Sequence, residues 1–319
     1  MINLRNFRAL NPEWYRNPLS KLEATLRVPI FIKNGAVVLV SRILFPWFLI
    51  TLIVWWLTGG ITLAALGPFI ILVYELLALK SWYERKILKR HLKNIELVKS
   101  LCGKKRLDID ELRSDIKQSV ELGSWGTVRI VYVGLASWGW EIIFRALYPL
   151  LTNTQIDYRD LLIGFKNKTV EADQAFWEVA HEKNKQKEKL EKYLDMYGNR
   201  VEDIDLVYPT FRENKKAVSS MLKLYVQTPS PFSALSRAKE QRLEDTKEVL
   251  KSLKVPKSIF SWLLKTVQVN VRLREDRRFY HFIADYYIRQ MIIRLGKKLS
   301  LDDKQVFNQS WKELKNVGD

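Results

Sequence analysis

"LIGFKNKTVEADQAFWEVA", Leu162 to Ala180, runs from an apolar strip through a polar Lys-Asn-Lys-Thr break into an amphipathic segment. Both flanks are built for a core, so the break at Asn167, Lys168 and Thr169 needs a reason. It is either a turn in which Thr169 caps the following helix, or a loop whose Asn167 and Lys168 contact an anion. The turn is the simpler reading. In both, apolar residues after the break recur at helical spacing, and no segment of the chain sustains period-two alternation over strand length. The predicted class is all-α.

The charge is the next constraint. Lys and Arg number 53 against 35 Asp and Glu, a net +18 over 319 residues. That excess favours anionic surfaces: nucleic acid, an anionic membrane leaflet or a phosphorylated partner. The basic residues lie along helices without the aromatic spacing of a single-strand binder, which argues against nucleic acid. Cys102 is the single cysteine, so neither an internal disulfide nor a cysteine metal site is expected. His91, His181 and His281 are far apart in sequence and form no metal-ligand pattern. Nothing in Met1 to Lys33 reads as a cleavable signal.

The most apolar stretch is "ILFPWFLITLIVWWLTGGITLAALGPFIILVYELLAL", Ile43 to Leu79, broken by Thr58-Gly59-Gly60 and carrying a lone Glu75. Counted from Ala36, with Arg42 snorkelling, its first arm has about 22 residues, or about 33 Å of helix, and the second has about 19. Both suffice to cross a bilayer. A buried hairpin in a soluble core is the alternative, but soluble helices normally carry a polar stripe and these carry almost none. Pro46 and Pro68 also sit better in membrane helices. Trp55 and Trp56 would lie at one interface, Trp82 and Tyr83 at the other. Basic residues flank both outer ends (Arg27 and Lys33 before; Lys80, Arg85, Lys86 and Lys89 after), which places both termini in the cytoplasm of a multi-pass cell-membrane protein.

The division that follows is 1–35, a basic N-terminal segment; 36–79, a transmembrane hairpin; 80–106, a basic juxtamembrane helix; and 107–319, a multi-helix domain with one long C-terminal helix. Within the body, Glu84–Leu101 reads as a helix stopped by Gly103. Asp108 with Glu111 forms a capping box opening a helix that ends near Gly123. Trp125–Leu151 is apolar and aromatic, yet contains Arg129, Glu141 and Arg145, which favours a core helix over a third span. Further helices are predicted at Asp160–Phe165, Val170–Tyr197, Asn214–Val226 and Ala238–Leu253, with "TPSPFS" as a linker before the last. Pro256 opens the long helix to about Leu299, with Phe260, Leu264, Val267, Val271, Phe282 and Tyr286 facing the core.

No phosphate-cradling glycine loop, nucleophile elbow or metal-ligand spacing is present. Four segments nevertheless occur in a meaningful order: "DLLIGFKNKTVEADQAFWEVA", "YLDMYGNRVEDIDLVYPTFREN", "VRLREDRRFYHF" and "KQVFNQSWKEL". Together they resemble the helical domain of phosphoenolpyruvate-utilising phosphotransferases, as in rifampin phosphotransferase and phosphoenolpyruvate-synthase-like proteins. The resemblance covers roughly Leu107 to Leu314. It implies a domain that shapes the pocket of a phosphate acceptor, while chemistry resides in an ATP-grasp domain and a swivelling phosphohistidine domain. Neither the nucleotide residues nor the Thr-Ser-His segment of those domains is matched here. Where the family carries Gly-His-Arg, this chain has Gly198-Asn199-Arg200, a neutral amide in place of an imidazole.

The candidate ligand- or partner-binding residues are therefore Asn167, Lys168, Arg200, Asp205, Arg212, Glu213, Arg274 and Arg278. Asp205, Arg212 and Glu213 around Pro209 either line a site or hold a loop through Asp–Arg hydrogen bonds. Arg274 and Arg278, one turn apart, repel unless an acid or an anion lies between them; neighbouring acids, Glu275 among them, are the simpler answer. No catalytic residue, cofactor or metal is expected. The reading is a membrane-anchored, non-catalytic helical component that binds acceptor or partner, with ATP-grasp and phosphohistidine proteins acting in trans on the bilayer surface. The alternative is a structural or regulatory membrane protein reusing the fold. A free-standing enzyme would need a catalytic group that the sequence does not offer.

Overall fold

The computed structural model describes residues 20–41, 48, 83–105, 108–201 and 205–316, without the side chains of 83–85, 130, 135, 136 and 278. Most of the predicted 36–79 hairpin lies outside the described residues. Among those described, the protein is helical, and the one β-type contact is an isolated bridge between Thr152 and Leu253.

A π-helical turn, Glu23–Arg27, continues directly into α1 (Val28–Leu39), and a second, Tyr83–Leu88, continues into α2 (Lys89–Gly103). Then follow α3 (Ile109–Leu151), a 3-10 turn (Tyr158–Leu162), α4 (Lys168–Ala180), α5 (Gln186–Tyr197), α6 (Lys215–Val226), α7 (Pro231–Val249), α8 (Lys257–Lys298), α9 (Asp303–Asn308) and α10 (Trp311–Asn316). The frame is the antiparallel pair α3 and α8, with α1 and α2 packed alongside. At about 1.5 Å per residue the two long helices each extend over roughly 60 Å.

Sequence signals and structure agree at the Asp108–Glu111 capping box, at Asn214, which caps α6, and at Pro256, which is the N-cap of α8. They part at Gly123: α3 continues through Gly123, Gly126 and Gly134 without a break. The predicted Val170–Tyr197 helix is two, interrupted at residues 181–185. The "TPSPFS" linker is the start of α7, with Ser230 at the N-cap and Pro231 in the first turn. α3 is also the one described helix long and apolar enough to cross a membrane, with 33% of its most apolar window buried.

The α3–α8 pair has two apolar ends and a polar waist. At one end Leu22, Leu26, Leu112, Ile116, Ile288 and Ile292 form a cluster; at the other Trp140, Phe144, Tyr148, Leu161, Phe260 and Leu264 do. Between them the buried face of α8 carries Arg277, His281 and Asp285. Phe282 and Tyr286, expected inside, are half-buried, because this polar run occupies the inward positions.

Arg27 organises the waist. One of its terminal nitrogens donates to Asp285 Oδ2 at 3.0 Å and lies 2.9 Å from His281 Nε2; the other stands 3.4 Å from Glu23. His281 Nδ1 lies 2.8 Å from Thr127 Oγ1, which reaches the Gly123 carbonyl at 3.1 Å. A neutral His281 satisfies this chain: it accepts from Arg27 at Nε2 and donates from Nδ1 to Thr127, whose proton goes to Gly123. That tautomer is assigned from the network.

The waist makes stability pH-dependent. Burial pushes the Glu23 carboxyl up to about 8 and the Asp285 carboxyl up to about 6, against the pull of Arg27. Burial pushes His91 down to about 4, and His281 well below its ordinary value. Raised carboxyls mean the native state holds protons that the unfolded state has lost, so stability falls as pH rises towards 8. The depressed histidines act the other way, but only below their ordinary value of 6.5, where the unfolded state alone takes up protons. Above pH 6.5 the histidine effect fades and the carboxyl effect outweighs it. Melting temperature is expected to fall from pH 6.5 to 8.5, and Glu23→Gln to flatten that slope. A flat or rising wild-type profile would refute the assignment.

Candidate functional site

The polar break between the 3-10 turn and α4 has a local explanation first. Asn167, not Thr169, caps α4: its Oδ1 accepts from Val170 N at 2.9 Å. Lys168 N donates to Asp276 Oδ1 of α8 at 2.7 Å, and its ammonium pairs with Glu171 at 2.6 Å, 6.0 Å from the Phe279 ring. Upstream, Gly164 has φ +70° and packs so closely that an added Cβ would lie 2.6 Å from Lys239 N of α7. Only glycine meets both demands. Arg242 of α7 donates to the Ile163 carbonyl at 2.7 Å and lies 3.8 Å from the Phe165 ring. The loop is thus clamped between α7 and α8.

Beside it lies a cleft of about 440 Å³. One wall is the loop itself, Leu162 to Phe165 with Asn167. A second is the first turns of α7, including Pro231, Ala234, Leu235 and Ala238. α8 supplies Val271, Arg272 and Glu275, and α4 adds Val170 and Asp173. The lining is mainly apolar with a few polar groups, the composition of a site for an apolar molecule bearing one or two hydrogen-bonding groups. Asp173 is held by Arg200 at 3.1 Å. Burial raises the carboxyl of Asp276, behind the loop, above its ordinary value.

The predicted site residues divide. Asn167 lines the cleft, Lys168 stands behind it, and Arg200 reaches it through Asp173. Asp205 is elsewhere: it is buried, accepts from Ser20 N at 2.6 Å and Ser20 Oγ at 2.9 Å, and so fastens the N-terminal helix to the body. Glu213 accepts from Arg289 Nε at 3.0 Å, Gln290 at 2.8 Å and Thr210 N at 2.9 Å. Arg212 pairs with Asp195 and lies over the Tyr286 ring. Arg274 reaches across to Glu141 of α3 at 2.7 Å, so an acid is in place where an anion had been the other reading. The side chain of Arg278 lies outside the described residues. Asn199 is buried. Asp173, Arg272 and Glu275 were not anticipated in the site, nor were the α7 residues; Pro231 at a helix start was the available signal.

Comparison with known proteins falls on this cleft. A family model described as the rifampicin phosphotransferase fourth domain matches residues 161–275. Every lining residue of the cleft lies within that segment. That segment is thus similar to a helical domain of the phosphoenolpyruvate-utilising phosphotransferases. The chain is also 24% identical over 212 residues to chondramide synthase of Chondromyces crocatus, an alignment covering 50% of this chain. It spans 5% of the length of that protein. The matched segment contains His181, which stacks on Trp177 with ring centroids 3.9 Å apart, on the surface. His91 and His281 lie outside it and are buried in the bundle. Among the described residues no cluster of His, Cys, Asp and Glu could hold a metal ion.

Proposed function

We propose that this chain is a membrane-anchored helical component of a phosphoenolpyruvate-utilising phosphotransfer system, which binds the acceptor or a partner while nucleotide and phosphohistidine domains act in trans. The observation that carries this reading is the coincidence of the cleft with the phosphotransferase-type segment. The anchor rests on the apolar 43–79 stretch and its basic flanks. A non-catalytic role accords with the histidines: a shuttle histidine must present a ring nitrogen to two partners in turn, and two of the three are buried.

A second reading has its own support. Asp205, Arg212, Glu213 and Arg274 are all engaged within the fold, as a structural or regulatory membrane protein reusing these helices would have them. The first reading therefore depends on the cleft.

The test uses the full chain in detergent. Incubated with labelled ATP or phosphoenolpyruvate, it should take up no label; stable label on any of the three histidines would overturn the non-catalytic reading. In cell fractions it should sediment with membranes and leave them only with detergent. Recovery as a soluble protein would remove the anchor.

A further inference from the structure

Outside the 161–275 segment, two helices bring together a group of cations that meet no counter-charge among the described residues. On α2 and the turn before it, Lys86, Lys89, Arg90 and Lys93 are all exposed; Lys86 and Lys93 each lie three or four residues from the adjacent Lys89 and Arg90, so the four share one basic face. α2 lies against α3: the His91 ring fills the place a Cβ would take at Gly126, and Asn94 donates to the Leu122 carbonyl at 3.1 Å. That contact sets Arg90 beside Trp125. The Arg90 guanidinium carbon is 4.4 Å from the Trp125 ring centroid, and that of Arg129, one turn further along α3, is 4.1 Å from it. Arg129 also donates to the Trp125 carbonyl at 2.9 Å. None of these five cations has an ion pair among the described residues.

Two guanidiniums on one indole is an arrangement that repels itself unless something offsets it. The ring attracts each one and holds it by its flat face. That leaves the N–H edge of Arg90, and the Arg129 N–H groups not spent on the Trp125 carbonyl, in a fork geometry that matches oxyanions. A planar carboxylate is satisfied by one such fork; a tetrahedral phosphate has oxygens for two forks arriving from different directions. We infer that Arg90 and Arg129, clamped on Trp125, form a binding site for a phosphate group, with Lys86, Lys89 and Lys93 raising the local potential that attracts it. The phosphate belongs either to an anionic phospholipid headgroup or to a soluble phosphate. The site does not depend on the proposed role of the 161–275 cleft.

The test titrates the full chain in non-ionic detergent at fixed ionic strength with three probes: short-chain phosphatidylglycerol, short-chain phosphatidylcholine and inorganic phosphate. The readout is the emission change of Trp125, taken as the difference between wild type and Trp125→Phe. A saturable response to phosphatidylglycerol alone assigns a headgroup; a response to inorganic phosphate assigns a soluble anion; either supports the site. The double variant Arg90→Gln/Arg129→Gln should weaken the apparent Kd at least tenfold. The double Lys variant of the same positions should lose less. Lys216→Gln/Lys247→Gln, which removes the same charge elsewhere, should change it less than twofold. If Arg129→Gln impairs folding, Arg90→Gln alone, at an exposed position, should still weaken binding at least threefold. No response to either anionic probe, or equal weakening by the distant lysine pair, would overturn the site.

Discussion

Arg27→Met is expected to lower the unfolding free energy by about 3–5 kcal/mol, the range for removing one partner of a buried ion pair. Arg27 is 5% exposed, Asp285 7% and Glu23 1%. In the waist the guanidinium is the counter-charge of Asp285, the cation nearest the largely protonated Glu23, and the donor to His281 Nε2. Methionine keeps much of the volume and supplies none of the donors. Asp285 is then left with His281, which burial keeps neutral. A carboxylate so placed either stays charged and uncompensated or takes up a proton, and both destabilise the fold near neutral pH. The loss should shrink as pH is lowered and the acids protonate. The double variant Arg27→Met/Asp285→Leu should recover a large part of it, because replacing a buried pair by apolar groups of similar size is often close to neutral. Denaturant midpoints of the four proteins in one cycle measure the coupling. A single-variant loss below about 1 kcal/mol, or strict additivity, would show that the waist is solvated and not an ionic core.

This waist explains what sequence pattern could and could not reveal. Apolar periodicity correctly marked Phe260, Leu264 and Val267, which are buried. It then continued to Phe282 and Tyr286, because a hydrophobic template has no means of selecting Arg277, His281 and Asp285 as inward residues. His281 and Asp285 find their partners far away in sequence, Arg27 above all. Local chemistry was more legible than packing. Asp108 with Glu111, and Asn214, cap their helices as their residue types require. Within "TPSPFS", Pro229 and the Ser residues point Pro231 towards a linker, although proline is equally at home in a first helical turn.

The site was half-visible for the same reason. Asn167 and Lys168 stood out as a polar break within one segment. The rest of the cleft comes from α4, α7 and α8, and its charged residues, Asp173, Arg272 and Glu275, carry no local signature. Arg212, Glu213 and Arg274 are charges near turns or on one helix face, yet each is used to tie elements together. Charge in sequence marks a need for a partner; it does not say whether the partner is internal.

Gly126→Ala should be the second severe substitution, with a loss of about 2–3 kcal/mol, while Gly139→Ala in the same helix should be neutral or slightly stabilising. Glycine inside a helix costs roughly 0.5–1 kcal/mol relative to alanine, so a glycine with room around it gains from the change. Nothing lies within 4 Å of a Cβ built at Gly139. At Gly126 the same atom would fall 1.8 Å from His91 Nδ1, 2.4 Å from Cε1 and 2.6 Å from Cγ. Three atoms of one rigid ring are struck together, so no terminal rotation relieves the clash. The His91 ring is fully buried and its Nε2 lies 3.2 Å from the Tyr280 carbonyl. Relief requires α2 to move away from α3, at the overpacking cost of about 1–3 kcal/mol and with the loss of that contact. His91→Ala should rescue Gly126→Ala in part, since it opens the space the methyl needs. It should also leave a cavity of its own, so rescue will be incomplete. Thermal melting of Gly126→Ala, Gly139→Ala, His91→Ala and the Gly126/His91 double variant decides the matter. If the two glycine variants melt together, α2 and α3 are not in this close contact, and the placement of Arg90 beside Trp125 falls with it.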